Sequence, residues 1–329
     1  MFSGLSKSTR VWVAFASVYL CWGSTYLAIH IAGEQLPTPI VSGTRSLVSA
    51  VFIFLICGVR RISLRVPKDE IWKLVVVGLL FMSFNNMGLT WGEKMVPSGF
   101  ASLVISMMPI LIALLEMGCF YAGWGGETLN KRGWAGTLLG TLGIGLLVWP
   151  ALKAQLEHGP AMAGYSRPML GTLVLLGAAL SFAVGSVLSR RFQFKADTFV
   201  ATGWQIGAAA VFNWVFAAAT GSIHRAVWTW RGFGAVVYLS IFGSLFGLVA
   251  FTYLLKNVRV TKVSTYAFVN PVIAVLLGVL VLHERLAPAE ILGMAVIVCA
   301  VAMVIYSRVG VQSEGLSKEV VGSAGEAVE

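Results

Sequence analysis

The chain reads as an all-α membrane protein with ten transmembrane helices in two inverted five-helix repeats. Three observations predict this: a surplus of apolar over charged residues, ten apolar stretches of membrane-spanning length, and a nearly constant internal offset. Of 329 residues, 57% are hydrophobic and 12% charged, whereas a soluble domain carries roughly a quarter charged residues. The formal charge is +10, from 24 Lys and Arg against 14 Asp and Glu. Only four cysteines are present, too few for a disulfide-stapled secreted domain.

A membrane-spanning helix needs about 20 mostly apolar residues. Stretches of that kind lie at 11–32, 39–59, 71–92, 97–122, 133–150, 169–189, 198–219, 233–255, 262–282 and 288–306. The first is too long for the apolar core of a secretory signal and lacks a small-residue cleavage site, so it is expected to persist as a helix. Residues 1–10 form a polar N-terminus, 151–168 a linker, and 307–329 a polar tail expected to be disordered.

Counting Lys and Arg by loop gives the orientation. Seventeen fall on the side that carries both termini (Lys7, Arg10, Arg60, Arg61, Arg65, Lys68, Lys73, Lys131, Arg132, Arg190, Arg191, Lys195, Lys256, Arg259, Lys262, Arg308 and Lys318). Six fall on the other (Lys94, Lys153, Arg167, Arg225, Arg231 and Arg285), with Arg45 inside a span. This bias predicts cytoplasmic termini. It also accounts for most of the positive charge, which is scattered over loops rather than gathered in a nucleic-acid-binding domain.

A shift of 162 residues places Gly23-Ser24 on Gly185-Ser186, Thr90 and Lys94 on Thr252 and Lys256, and Ser102 and Pro109 on Ser264 and Pro271. A shift of 160 places Thr38 and Gly43 on Thr198 and Gly203, and Val51-Phe52 on Val211-Phe212. After a five-residue deletion, Glu127 meets Glu284 and Gly136 meets Gly293. The halves are therefore expected at 11–150 and 169–306. Because each holds an odd number of spans, the second enters the membrane from the opposite side, the architecture of many secondary transporters.

The run Cys21-Trp22-Gly23-Ser24, Arg45, and the Glu127 and Glu284 connectors leading to Gly136 and Gly293 resemble the EamA domain of the drug/metabolite transporter superfamily. The resemblance covers 11–306 in both halves. Trp22 and Arg45 are replaced by Val184 and Gln205 in the second half, which argues against equivalent substrate contacts. The resemblance implies a bacterial inner-membrane protein that exports amino acids or other small metabolites, without cofactor or metal.

Polar groups inside the spans are the candidates for chemistry, because an ionisable or amide group in hydrocarbon normally faces protein or water. Arg45 lies roughly 9 Å inside its span at 1.5 Å per residue. Glu116 is a proton-coupling candidate, at a level that disfavours a direct bridge to Arg45. Asn85 and Asn86 point in different directions, so one of them at most is expected in a cavity. Tyr19, Trp22 and Tyr26 share a helical face, where packing competes with substrate contact; Ser106, Met107, Gln205, Asn213 and Asn270 complete the set. Pro109 and Pro271 occupy equivalent places and predict paired kinks that open or gate the cavity. Gly136-x-x-x-Gly140 and Gly243-x-x-x-Gly247 predict close helix packing. Trp72, Trp91, Trp124, Trp149, Trp228 and Tyr306 read as interfacial belts.

Rival functions fare less well. Asp69 and Asp197 lie at span edges, no H-E-x-x-H occurs, and His30, His158, His224 and His283 are scattered, which leaves little for an intramembrane enzyme. Without a nucleotide-binding P-loop, energy is expected from a gradient. A channel or a flippase-like lipid-handling protein is the alternative. The expected partners are a small-molecule substrate and the bilayer, with no nucleic acid.

Overall fold

The computed structural model describes residues 6–95, 101, 104–158, 168–282, 288–307 and 309–311. Within the described residues the apolar runs fall on helices, as expected where backbone N–H and C=O groups find no water. In chain order these are α1 (Lys7–Gly23), α2 (Thr25–Gln35), α3 (Thr38–Val59), α4 (Lys68–Gly92), α5 (Met108–Tyr121), α6 (Lys131–His158), α7 (Pro168–Phe192), α8 (Thr198–Ala219), α9 (Trp230–Asn257), the single turn α10 (Val260–Val263), α11 (Tyr266–Leu282) and α12 (Pro288–Ile305). Among the described residues, α3, α4, α7, α8 and α9 are long and apolar enough to cross a membrane. Side chains of the Trp and Tyr belt are exposed, with Trp124 and Tyr306 the most open at 75% and 72%.

Two departures from the sequence reading concern where helices break. The first span is interrupted at Ser24, whose hydroxyl donates to Leu20 O and Cys21 O while Thr25 Oγ1 donates to Trp22 O. Hydroxyls that bond backward in this way compete with the helical ladder and bend it. Pro109 is not a mid-helix kink: it sits in the first turn of α5, where a missing N–H costs nothing. Pro271 does lie inside a helix. The paired kink predicted from the repeat is thus a helix start in one half and an interior proline in the other.

Hydropathy gives no sign of two π-helical segments, Leu79–Phe84 within α4 and Leu239–Leu248 within α9. A π turn widens the helix and redirects carbonyls, and such turns are frequent at functional sites. Leu80 O accepts from Ser181 Oγ, and Met82 O from Asn86 Nδ2 and Asn213 Nδ2. On the other helix, Ser240 O accepts from Ser49 Oγ, and Gly243 O from Trp22 Nε1. Both segments spend carbonyls on neighbouring helices.

Part of the polar tail is ordered as a strand, and residues 312–329 lie outside the described residues. Val309–Val311 pairs antiparallel with Glu127–Leu129, Thr128 opposite Gly310. β-branched Val309 and Val311 suit a strand, and the glycines at 123, 125 and 126, all with positive φ, turn the chain into it.

The most extensive helix pairings are α6 with α12 and α3 with α8. Gly136 and Gly143 allow the first, since a methyl at either would lie 2.9 Å from Met303 or Ile297. At the second, Gly43 faces Asn213 and Trp214, and Gly203 faces Ile53 and Phe54.

Candidate functional site

A buried cavity of about 70 Å³ lies where α1, α2, α3, α4, α5, α7, α9 and α11 meet. Of the residues singled out from sequence, it is lined by Trp22, Arg45, Asn85, Asn86 and Asn270. Tyr19, Ser106, Met107, Gln205 and Asn213 do not line it. The Tyr26 side chain lies outside the described residues.

Arg45 is buried, and its Nε donates to Ser244 Oγ at 2.6 Å, with Ser244 supplied by the π segment of α9. Gly243 admits the guanidinium, since a methyl there would lie 2.7 Å from Arg45 Nη2. One turn on, a methyl at Gly247 would lie 2.2 Å from Trp22 Nε1. The glycine pair read as a packing motif thus makes room for two large polar side chains of the site.

Asn85 and Asn86 both line the cavity, against the expectation that one would. Neighbouring helical residues are about 100° apart, and the cavity spans that arc. Their roles differ. Asn86 is tied to Met82 O, whereas among the described residues Asn85 Oδ1 has no hydrogen-bond partner, and neither does Asn270 Oδ1 across the cavity. Leaving a buried acceptor unpaired costs about 1–3 kcal/mol, so these oxygens are poised to receive donors.

Next to the cavity, Trp22, Phe81, Phe182, Phe251 and Tyr266 form one aromatic cluster drawn from α1, α4, α7, α9 and α11. Its closest ring centroids are 4.7 Å apart, for Phe81 and Phe182, and Trp22 lies 4.8 Å from Tyr266 edge-on. Edge-to-face geometry at this range is favourable beyond area burial. The sequence reading missed Phe81, Phe182, Phe251 and Tyr266, because single aromatics in apolar runs look like core. Only the register between helices brings them together.

Other candidates serve elsewhere. Tyr19 donates or accepts at Thr265 Oγ1, 2.9 Å away. Gln205, the repeat counterpart of Arg45, is fully buried against α4, with both side-chain polar atoms unpartnered. Glu116 lies away from the cavity and faces Arg191 at 3.5 Å, while Arg191 also donates to Trp124 O and Gly125 O. Glu116 and Arg45 do not meet, as expected.

Glu93, at the end of α4, escaped notice in the sequence. Burial pushes its carboxyl from an ordinary 4.5 up to about 8. The folded state thus favours the protonated form: this contribution is complete below pH 4.5 and is lost as pH rises through about 8. Glu93→Gln is expected to flatten the fall in melting temperature across that window, measured in detergent at a series of pH values.

A model of the EamA-like transporter family matches residues 10–149 and 169–306. The uncharacterized inner membrane transporter YedA of Escherichia coli strain K12 is 32% identical over 296 residues, spanning 90% of each chain. The uncharacterized transporter YoaV of Bacillus subtilis strain 168 is 28% identical over 89% of this chain and 96% of its own. A WAT1-related chloroplast protein of Arabidopsis thaliana is 27% identical over 92% of this chain and 71% of its own. One solved crystal structure superposes with a TM-score of 0.70 at 23% identity, covering 91% of this chain and 98% of its own, and so shares the fold. With both helical blocks matched by the family, this helical membrane protein belongs to the EamA-like transporter family.

Proposed function

We propose that the protein is a secondary transporter that exports amino acids or similar small metabolites, alternating its central cavity between the two faces of the membrane. The observation that carries this is the cavity wall itself. A guanidinium from Arg45 suits a carboxylate, two unpaired amide oxygens from Asn85 and Asn270 suit an ammonium, and Trp22, Phe182 and Tyr266 suit an apolar body. At about 70 Å³ the cavity holds little more than two waters. A metabolite therefore requires helices to separate, which the breaks at Ser24 and ahead of Pro109 favour.

Two inverted five-helix halves supply the frame for that motion. The family match falls into two blocks, and the two dominant helix pairings join repeat counterparts: α3 with α8, and α6 with α12. A shift of 160 carries Gly43, Ile53 and Phe54 onto Gly203, Asn213 and Trp214, so each glycine packs against the counterpart of what the other meets. Such reciprocity is the mark of a two-fold relation. The π segments also coincide, since 79–84 shifted by 162 gives 241–246, inside Leu239–Leu248. Orientation rests on the Lys and Arg bias, with both termini cytoplasmic.

Purified protein in liposomes, supplied with radiolabelled amino acids and other metabolites with and without a pH gradient, tests this reading. Saturable flux of at least one compound is expected. Steady ion conductance with no solute flux supports a channel instead. Glu116→Gln is expected to loosen the α5–α7 contact and leave the pH dependence of flux unchanged, because Glu116 lies outside the cavity wall. A flattened pH profile in that variant would restore it as a proton carrier.

A further inference from the structure

Beyond the central cavity, the described residues form a vestibule at each end of the bundle. The one far from the termini measures about 850 Å³ and includes Gly33, Glu34, Leu36, Thr38 and Lys94 in its wall. On the termini side one opening measures about 390 Å³ and includes Gln193, Phe194, Ala196, Thr198 and Lys256, and a second, about 500 Å³, has Arg10, Arg60 and Asp197 in its wall. A shift of 160 carries 33, 34, 36 and 38 onto 193, 194, 196 and 198, and a shift of 162 carries Lys94 onto Lys256. The two walls are therefore built from equivalent positions.

The lysines find equivalent acceptors as well. Lys94 Nζ reaches Leu36 O at 3.5 Å, and Lys256 Nζ reaches Ala196 O at 3.5 Å, the acceptors again being counterparts. Both lysine side chains are exposed. A neutral carbonyl at that distance is a weak partner for an ammonium, and a carboxylate brings a shorter, charge-assisted bond. Arginines beside them are already engaged: Arg225 with Thr220 O and Ser222 Oγ, Arg190 with Leu255 O and Lys256 O. Among the described residues, Glu34 is the one acid in the far wall, against Lys94 and Arg225. In the termini-side wall no acid faces Arg190 and Lys256 among the described residues. Nearby Glu70 is committed to the backbone N–H groups of Lys195 and Ala196. Each vestibule thus keeps an excess of positive charge around one weakly held ammonium.

The halves differ at the centre, where Gln205 stands at the position equivalent to Arg45, and coincide at the mouths. A single central cation serves both access states, whereas each mouth needs its own. We propose that Lys94 and Lys256 are a matched pair of anion-recognition groups, one in each vestibule, that take the carboxylate of the transported molecule as it enters or leaves. This rests on the transport reading above. The aromatic walls at Phe84, Trp91 and Phe216 of the larger vestibule fit a molecule with an apolar body.

The test uses the full chain in phosphatidylcholine vesicles sorted by orientation, with radiolabelled phenylacetate, phenylacetamide and 2-phenylethylamine as probes. Phenylacetate is expected to bind from both faces and the other two markedly less. Lys94→Gln should weaken phenylacetate binding about tenfold from the face opposite the termini only, the cost of one charge-assisted bond. Lys256→Gln should do so from the termini face only, and both Lys→Arg variants should retain binding. The inference is overturned if phenylacetate binds from neither face, if the amide or amine binds as well, if the Gln variants bind normally, or if their effects lack sidedness. It is overturned too if lysine dependence arises only when anionic lipid is added, which would assign the lysines to headgroups. Lysine-dependent binding in vesicles that transport nothing would sink the transport reading alone. Transport indifferent to both lysines would sink only this inference.

Discussion

Arg45→Ala is expected to lower solute flux about 100-fold in a protein that still folds, the scale of removing one partner from a buried charged contact. Among the described residues, the guanidinium is the sole cation in the cavity wall. Its Nε bond to Ser244 fixes the plane of the fork, leaving the Nη groups to address a substrate. Arg45→Lys keeps the charge without the planar fork and is expected to fall between wild type and Ala. Flux per folded transporter in proteoliposomes, with saturation curves for each variant, checks both. Unchanged substrate affinity in a folded Arg45→Ala protein would give the residue a structural role, tying α3 to α9.

Gly78→Ala is expected to destabilise the protein by roughly 3 kcal/mol or more, because overpacking against backbone has no easy relief. The added methyl would lie 2.2 Å from Gln205 O, a backbone atom of α8 held by its helix. Gly118→Ala is the control, with nothing within 4 Å of the added carbon, and should be neutral or slightly stabilising. Thermal unfolding in one detergent, followed for both variants, reads the difference. A Gly78→Ala protein as stable as wild type would mean that α4 and α8 are farther apart than described.

What the sequence made legible was local in character. Hydropathy locates helices because each residue meets the same apolar surroundings, and α8 falls on 198–219, the apolar stretch itself. The glycine pair at 243 and 247 was visible as small-residue spacing, but its occupants were not. Trp22 and Arg45 reach those glycines across about 200 residues of chain, a relation set by how helices dock. The π segments left no trace, since Leu79–Phe84 and Leu239–Leu248 contain neither proline nor a run of polar residues. Proline position was misread for a related reason: Pro109 looks alike in a helix interior or a first turn until the break before it is known.

Candidate polar residues sorted by partner rather than by type. Asn85, Asn270 and Gln205 are all buried amides with unpaired atoms, yet only the first two line the cavity. Depth along a helix could be computed from the sequence. Azimuth could not be, because the wide π turn ahead of Asn85 shifts the face it presents.

In the proposed mechanism the cavity is exposed to one face at a time. Uptake of a labelled solute into vesicles preloaded with the same unlabelled solute tests it most directly. Uptake faster than into empty vesicles is expected, with a transient overshoot and no steady ion conductance. Uptake unaffected by preloading, accompanied by continuous conductance, would contradict it.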